Sequence, residues 1–330
     1  MDDLIRRLVE TFGPSSKEEQ VKNLIRSEIE QSVDEIGDDK FGNLVARIKG
    51  QGEKLMIAAH MDSIGVMVTD IDKNGFIRFG EIGGLRKSLL VGQRIIFEND
   101  VEGFVYYEDK DSPWEVKDFK IEKFYIDIGV TNKGHAKELV SIGTEGIFKP
   151  QFVHRDKRII ASSLDDRIGC AIEIELIKSL KKRKLRFDLY FTFSVQEEIG
   201  VKGAKVSSYD ITPDIGLSID VTDAGDTPES YPVALSLGSG PAIKVMDSGM
   251  IASKVVRDEL VKVARASDTP YQLEVITAGT TDAYAMQMTK SGVLAGSVSL
   301  PTRYVHTPGE VIDLNDFENA VKLLKKYIEK

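Results

Sequence analysis

Tyr190-Phe191-Thr192-Phe193-Ser194-Val195-Gln196-Glu197-Glu198-Ile199-Gly200 is an aromatic and β-branched run that stops at two adjacent carboxylates and a glycine. The run reads as a buried strand. On an extended backbone neighbouring side chains point to opposite faces, so Glu197 and Glu198 are expected to face different ways, one to bind and the other to act. In open α/β sheets, sites assemble at the carboxyl ends of strands, which directs attention to the other strand ends.

Leu55 to Ala59 is an apolar run suited to the middle of a sheet, and it ends at His60-Met61-Asp62. Ile215 to Ile219 ends at Asp220, Pro301 to Val305 leads to His306, and Asp165-Asp166 stands just before a helix. Taken singly, each is ordinary: a strand-end histidine is usually just hydrogen-bonded, a Glu-Glu pair is usually on the surface, and acidic residues often cap helices. Together, two histidines and several carboxylates suit Zn²⁺, Co²⁺ or Mn²⁺. Two such ions, ~3.5–4 Å apart, need a carboxylate between them. Asp62 shares a face with His60 and could accept the second imidazole N–H. His135, His154 and Cys170 are read as structural, exposed or core residues.

Working outward, Leu4, Ile5, Leu8 and Val9 repeat at helical spacing, and Ser16 with Glu19 suggests a capping box for a helix burying Val21, Leu24, Ile25 and Ile29. Between about Val66 and Phe152 the texture changes to short strands separated by turns, at 66–71, 76–79, 94–97, 103–107, 124–128 and 146–148, with few helical patterns among them. That spacing suggests a small β-barrel. Both flanks read as α/β, so the barrel is expected to be an inserted domain. Beyond it, helices are expected from Asp166, Met250, Thr281 and Leu314, and strands over 271–276 and 293–300. The basic run Lys181-Lys182-Arg183-Lys184 reads as a solvated helix end.

At 330 residues the chain has room for two domains. Its formal charge of −9 argues against nucleic acid or an anionic membrane as partner and leaves room for metal ions or an amine. The single cysteine excludes an intrachain disulfide and suggests a reducing compartment. The charged N-terminal turns do not resemble a secretory signal, and no apolar run approaches the ~20 residues that span a bilayer. A soluble, cytoplasmic protein is expected.

Several stretches, in this order, carry a likeness. They are Ala59-His60-Met61-Asp62-Ser63-Ile64-Gly65, Leu164-Asp165-Asp166-Arg167-Ile168-Gly169-Cys170, Gln196-Glu197-Glu198-Ile199-Gly200 with Gly203-Ala204, and Ile219-Asp220-Val221-Thr222. Ala224-Gly225-Asp226-Thr227-Pro228, Thr281-Asp282-Ala283, Pro301 to Pro308 and Glu310-Val311 complete the set. The pattern closely resembles the tetrahedral (TET) aminopeptidases, also called the glutamyl aminopeptidase or cellulase-M-like family of di-metal zinc exopeptidases.

The resemblance implies an α/β fold: an α/β/α sandwich with a mixed sheet, built from about residues 1–66 and 153–330. A small PDZ-like β-barrel, residues 67–152, would be inserted and would mediate dimerisation, the dimers joining into a tetrahedral dodecamer. His60 and Asp220 would bind one divalent ion (Zn or Co), Glu198 and His306 the other, and Asp165 both. The Asp165–Asp166 bond would be cis. Asp62 would orient His60, and Glu197 would be the general base acting on a metal-bridging water to cut the N-terminal bond of short peptides with a free N-terminus. This chain departs from the pattern at Asp223, at Gly279-Thr280-Thr281-Asp282 and at Gly309; none of these is a ligand position. The rival readings are a di-metal N-acyl amino acid deacylase, an endoglucanase-type glycosidase working with two carboxylates, and a non-enzymatic descendant.

Overall fold

The computed structural model of the chain describes residues 1–108, 116–180, 185–230 and 232–329. Helices α1 (Asp2–Glu10) and α2 (Glu19–Ile29) precede the hairpin β1 (Glu35–Asp38) and β2 (Leu44–Ile48), then β3 (Lys54–His60). A second group follows: β4 (Gly65–Ile71), β5 (Ile77–Ile82), β6 (Arg94–Phe97), β7 (Glu102–Tyr107), β8 (Phe124–Asp127), α3 (Lys133–Leu139) and β9 (Glu145–Phe148). Next come β10 (Phe152–Arg155), β11 (Arg158–Ala161), α4 (Leu164–Leu180), β12 (Asp188–Ser194), α5 (Lys202–Ile211) and β13 (Ile215–Asp223). The remainder is β14 (Ala242–Met246), α6 (Lys254–Ala266), β15 (Gln272–Val275), α7 (Asp282–Gln287), β16 (Leu294–Thr302), β17 (Glu310–Asp313) and α8 (Leu314–Glu329).

The main sheet has eight strands in the order β1-β2-β12-β3-β13-β16-β14-β15. Its centre, β12-β3-β13-β16, is parallel, and β2 and β14 flank it antiparallel. Alternation decides the faces. Leu55, Ile57 and Ala59 join Leu189, Phe191 and Phe193 in the core beneath α1, α2, α4, α6 and α8, whereas Met56 and Ala58 pack with Ala283 and Met286 of α7. Helices therefore cover both faces, giving the expected α/β/α sandwich. Helix α4 is buried along almost its whole length, as a helix apolar nearly all round must be.

The strands of the second group close into an antiparallel barrel in the order β4-β5-β8-β7-β6-β9, filled by Val66, Val68, Ile77, Val105, Phe124 and Ile126. All six match the short strands read from the sequence. The third sheet, β10-β11-β17, was not anticipated.

Local readings fail in places. The Ser16–Glu19 capping box does not form: α2 begins at Glu19, and Ser16 sits in the left-handed region (φ 82°) with its N–H taken by Glu18. Helix α3 appears where none was expected, its N-cap Asn132 accepting from the His135 N–H. The basic run 181–184 lies outside the described residues. No helix among the described residues is long and apolar enough to cross a membrane.

Candidate active site

The parallel strands deliver their carboxyl ends to one place. β3 ends on His60, and its register with β13 (Ala58 beside Ser218) carries Asp220 to the same level and face. β12 ends at Ser194 directly beside His60, and the chain then turns to present Glu197 and Glu198. The segment after β16 brings in His306, and the start of α4 brings in Asp165. These six side chains line one cavity of about 580 Å³.

Asp165 lies at its centre. One carboxylate oxygen, Oδ1, is 3.0 Å from His60 Nε2, and the other, Oδ2, is 3.3 Å from His306 Nε2. His306 Nε2 is also 3.4 Å from Glu198 Oε2, and the nearest Glu197 oxygen is 4.0 Å from His60 Nε2. The Asp165–Asp166 peptide is cis, as the resemblance implied. His60, Asp165 and Glu198 bring one ligand atom each within 4.8 Å of one another, as do His60, Asp166 and Asp220.

The second imidazole nitrogens are also fixed. His306 Nδ1 donates to the Gly84 carbonyl at 2.9 Å, a contact supplied by the segment after β5. A side chain at Gly84 would have its Cβ 2.8 Å from that same nitrogen, so glycine is required by the close approach. His60 Nδ1 lies 3.1 Å from the Asp62 backbone carbonyl and 3.5 Å from the Asp62 carboxylate. Asp62 thus meets the imidazole chiefly through its backbone. Its fully buried carboxylate has other partners: the Ser15 hydroxyl and the backbone N–H groups of Glu197 and Glu198.

That last arrangement corrects the expectation about the Glu-Glu pair. The two carboxylates do not diverge on an extended backbone, because β12 has already ended and Gln196 is left-handed (φ 55°). Both face the same cavity.

Electrostatics favours a cation here. Burial pushes the Glu197 carboxyl well above the ordinary range and lifts Glu198 and Asp220 to about 8 each, Asp165 adding to both of the latter. Burial would raise Asp165 as well, but the imidazoles of His306 and His60 outweigh it and hold that carboxyl low. Glu198 Oε1 is buried without a hydrogen-bond partner among the described residues. Two imidazoles among crowded buried carboxylates, one with an orphaned oxygen, fit divalent metal ions.

Three supporting residues were given no catalytic or ligand role from the sequence, although Asp166 stood in the Asp165-Asp166 pair and Arg167 and Glu310 in the matching stretches. Glu310 accepts the N–H of His306 and the N–H of Asp165. Asp166, fully buried beside His60 and Asp220, accepts the His60 and Gly169 N–H groups. Arg167 is fully buried and donates to the carbonyls of Leu8, Thr11 and Gly13, tying α1 to the start of α4. Cys170 is core, as expected, with its Sγ 3.2 Å from the His60 carbonyl. His135 and His154 lie on the surface away from the cavity.

A parallel-centred sheet with helices on both faces, a barrel beside it and a histidine–carboxylate cluster at the strand ends make a candidate metal centre of the kind metal-dependent hydrolases use. Residues 42–323 match the family model described as M42 glutamyl aminopeptidase, and the chain belongs to this peptidase M42 family. The lysyl aminopeptidase of Pyrococcus furiosus is 35% identical over 338 residues, covering 99% of this chain and 96% of that protein. The structure of an aminopeptidase from the archaeon Desulfurococcus kamchatkensis superposes with a TM-score of 0.94 at 36% identity, covering 99% of this chain and 94% of the other. The TET1 peptidase of Pyrococcus horikoshii superposes with a TM-score of 0.89 at 30% identity, 99% of each chain being covered; it is described as able to assemble into a tetrahedron or a large octahedral shell. The activity is therefore that of an aminopeptidase, a hydrolase of peptide bonds.

Proposed function

We propose that the protein removes N-terminal residues from short peptides with a free amine, using two divalent ions (Zn²⁺ or Co²⁺) and Glu197 as general base. The observation that carries this reading is the split of the Asp165 carboxylate, one oxygen toward each imidazole, with Glu197 in the same cavity. His60 and Asp220 would hold one ion, Glu198 and His306 the other, and Asp165 both. Such ions supply Lewis acidity toward the scissile carbonyl and acidify the attacking water. Glu197 takes the proton from that water and returns it to the departing amine. Asp62 fixes the Glu197 backbone through its N–H, and Gly84 holds the His306 imidazole with Nε2 facing inward. The acidic wall of the cavity favours the substrate's ammonium group.

The reading extends to organisation. Residues 1–66 and 153–330 form the catalytic unit, and 67–152 form an inserted barrel through which two copies pair, with a tetrahedral dodecamer as the larger assembly and a cytoplasmic location. The tetrahedron described for the Pyrococcus horikoshii peptidase supports the larger assembly.

The test is a matched pair of substrates. Protein stripped with chelator and reloaded with Zn²⁺ or Co²⁺ is offered aminoacyl-anilides with free and with acetylated amines. Cleavage confined to the free-amine set, with two ions bound per chain, is expected. Cleavage confined to the acetylated set, at the acyl bond, would move the reading to a deacylase.

A further inference from the structure

Four consecutive backbone N–H groups after β12 each end on a side-chain oxygen. Val195 donates to Asn43 Oδ1 (2.9 Å), Gln196 to Glu18 Oε1 (3.1 Å), Glu197 to Asp62 Oδ1 (3.0 Å) and Glu198 to Asp62 Oδ2 (3.2 Å). Asp62 belongs to the site already described. Glu18 does not: it precedes α2, in a distant part of the sequence, and it is 6% exposed.

Its contact falls on the residue that decides where Glu197 points. Gln196 is left-handed (φ 55°), a conformation rare for a residue with a Cβ, and this turn lifts the next two side chains out of the strand direction and into the cavity. The same Glu18 oxygen also accepts the N–H of Ser16 (2.9 Å), itself left-handed at φ 82°. One buried oxygen therefore pins a turn in each of two segments. On the other edge of the turn, the Glu197 carbonyl accepts from the N–H groups of Gly200 and Val201, and the Gln196 carbonyl from that of Lys202. The backbone carrying Glu197 is thus held by the turn leading into α5 on its carbonyl side and by Glu18 and Asp62 on its N–H side.

We infer that Glu18 is a positioning residue for catalysis: by accepting the Gln196 N–H it fixes the left-handed turn that sets the Glu197 carboxylate in the cavity. The inference rests on reading Glu197 as the base. What Glu18 supplies is an oxygen at one place, not a charge.

Two variants separate those contributions. Glu18→Gln keeps an acceptor oxygen at the same reach and loses the charge; Glu18→Asp keeps the charge and withdraws the oxygen by about 1.5 Å, one carbon–carbon bond. In the metal-loaded enzyme, kcat for a free-amine anilide should stay within about threefold for Glu18→Gln and fall about 10- to 100-fold for Glu18→Asp. KM and bound metal should change little in either. Glu18→Asp retaining wild-type kcat, or outperforming Glu18→Gln, would overturn the inference, as would a loss of kcat matched by an equal loss of metal. Glu197→Gln is measured alongside. If it is inactive while Glu18→Asp is normal, only the positioning role falls; if it is itself active, the assignment of the base falls and this inference with it.

Discussion

The two oxygens of the Glu310 carboxylate each hold one backbone N–H of the site, Oε1 that of His306 at 2.9 Å and Oε2 that of Asp165 at 3.1 Å. Glu310 is buried at the start of β17, next to β11 in the small sheet, so this sheet anchors two of the proposed ligands at once. Removing the carboxylate leaves both N–H groups without their acceptor and frees the ligands to drift. Glu310→Ala should weaken metal binding about 10- to 100-fold, read by competition with a chelator. Unchanged metal affinity would show that the ligands need no such anchor.

Asp165 is expected to act as the shared ligand, so Asp165→Asn should lose metal and activity together. Metal content after gel filtration checks this. Retention of two tightly held ions would refute the shared role.

The barrel reaches the site through Gly83 and Gly84. A Cβ at Gly84 would lie 2.8 Å from His306 Nδ1, whereas a Cβ at Gly37 in β1 meets nothing within 4 Å. Gly84→Ala should displace the imidazole and lower kcat by about two orders of magnitude, while Gly37→Ala should leave it unchanged. Equal activity in the two would mean that the Gly84 contact does not position His306.

These tests also mark what was legible in the sequence. The central strands could be read because Leu55–Ala59 is apolar on both faces and Phe187–Val195 and Ile215–Ile219 are strongly apolar at every second residue, as strands lying against a core must be, and their ends therefore pointed to His60, Glu197, Glu198 and Asp220. The barrel strands were equally plain from turns such as Lys73-Asn74-Gly75. Long-range partnership left no such mark. Glu18, Asp166, Arg167 and Glu310 act by meeting backbone groups of other segments, and nothing in their own neighbourhoods distinguishes them from capping or surface charges. The same reason explains the Glu-Glu error. A left-handed Gln196 is imposed by Glu18 and Asp62 from elsewhere in the chain, against the local preference for an extended backbone.

A pH effect follows from the loops beside the site. Arg303, three residues before His306, forms a two-pronged pair with Asp226 at 2.7 and 2.8 Å, and Asp226 also accepts the Leu237 N–H. The Arg303 contact, only partly opposed by burial, holds the Asp226 carboxyl below its ordinary value. The sign is that of a depressed acid. Its stabilisation is complete above the unfolded value of about 3.9 and is lost as pH falls through the lower folded value. Asp226→Asn should therefore cost about 1–3 kcal/mol near pH 7, and the gap from wild type should narrow below about pH 4. Denaturant titrations across pH check this; a gap independent of pH would contradict the pairing.

The central claim is that Glu197 moves the proton and holds no metal. Glu197→Gln keeps the shape of the side chain and removes its basicity, so the most direct measurement pairs bound-metal content with kcat for that variant on a free-amine substrate. The expected result is two ions still bound and kcat reduced by about 10²–10⁴, the range set by loss of general acid–base catalysis. A variant that keeps its metal and turns over near the wild-type rate would contradict the account, and one that loses its metal would make Glu197 a ligand instead.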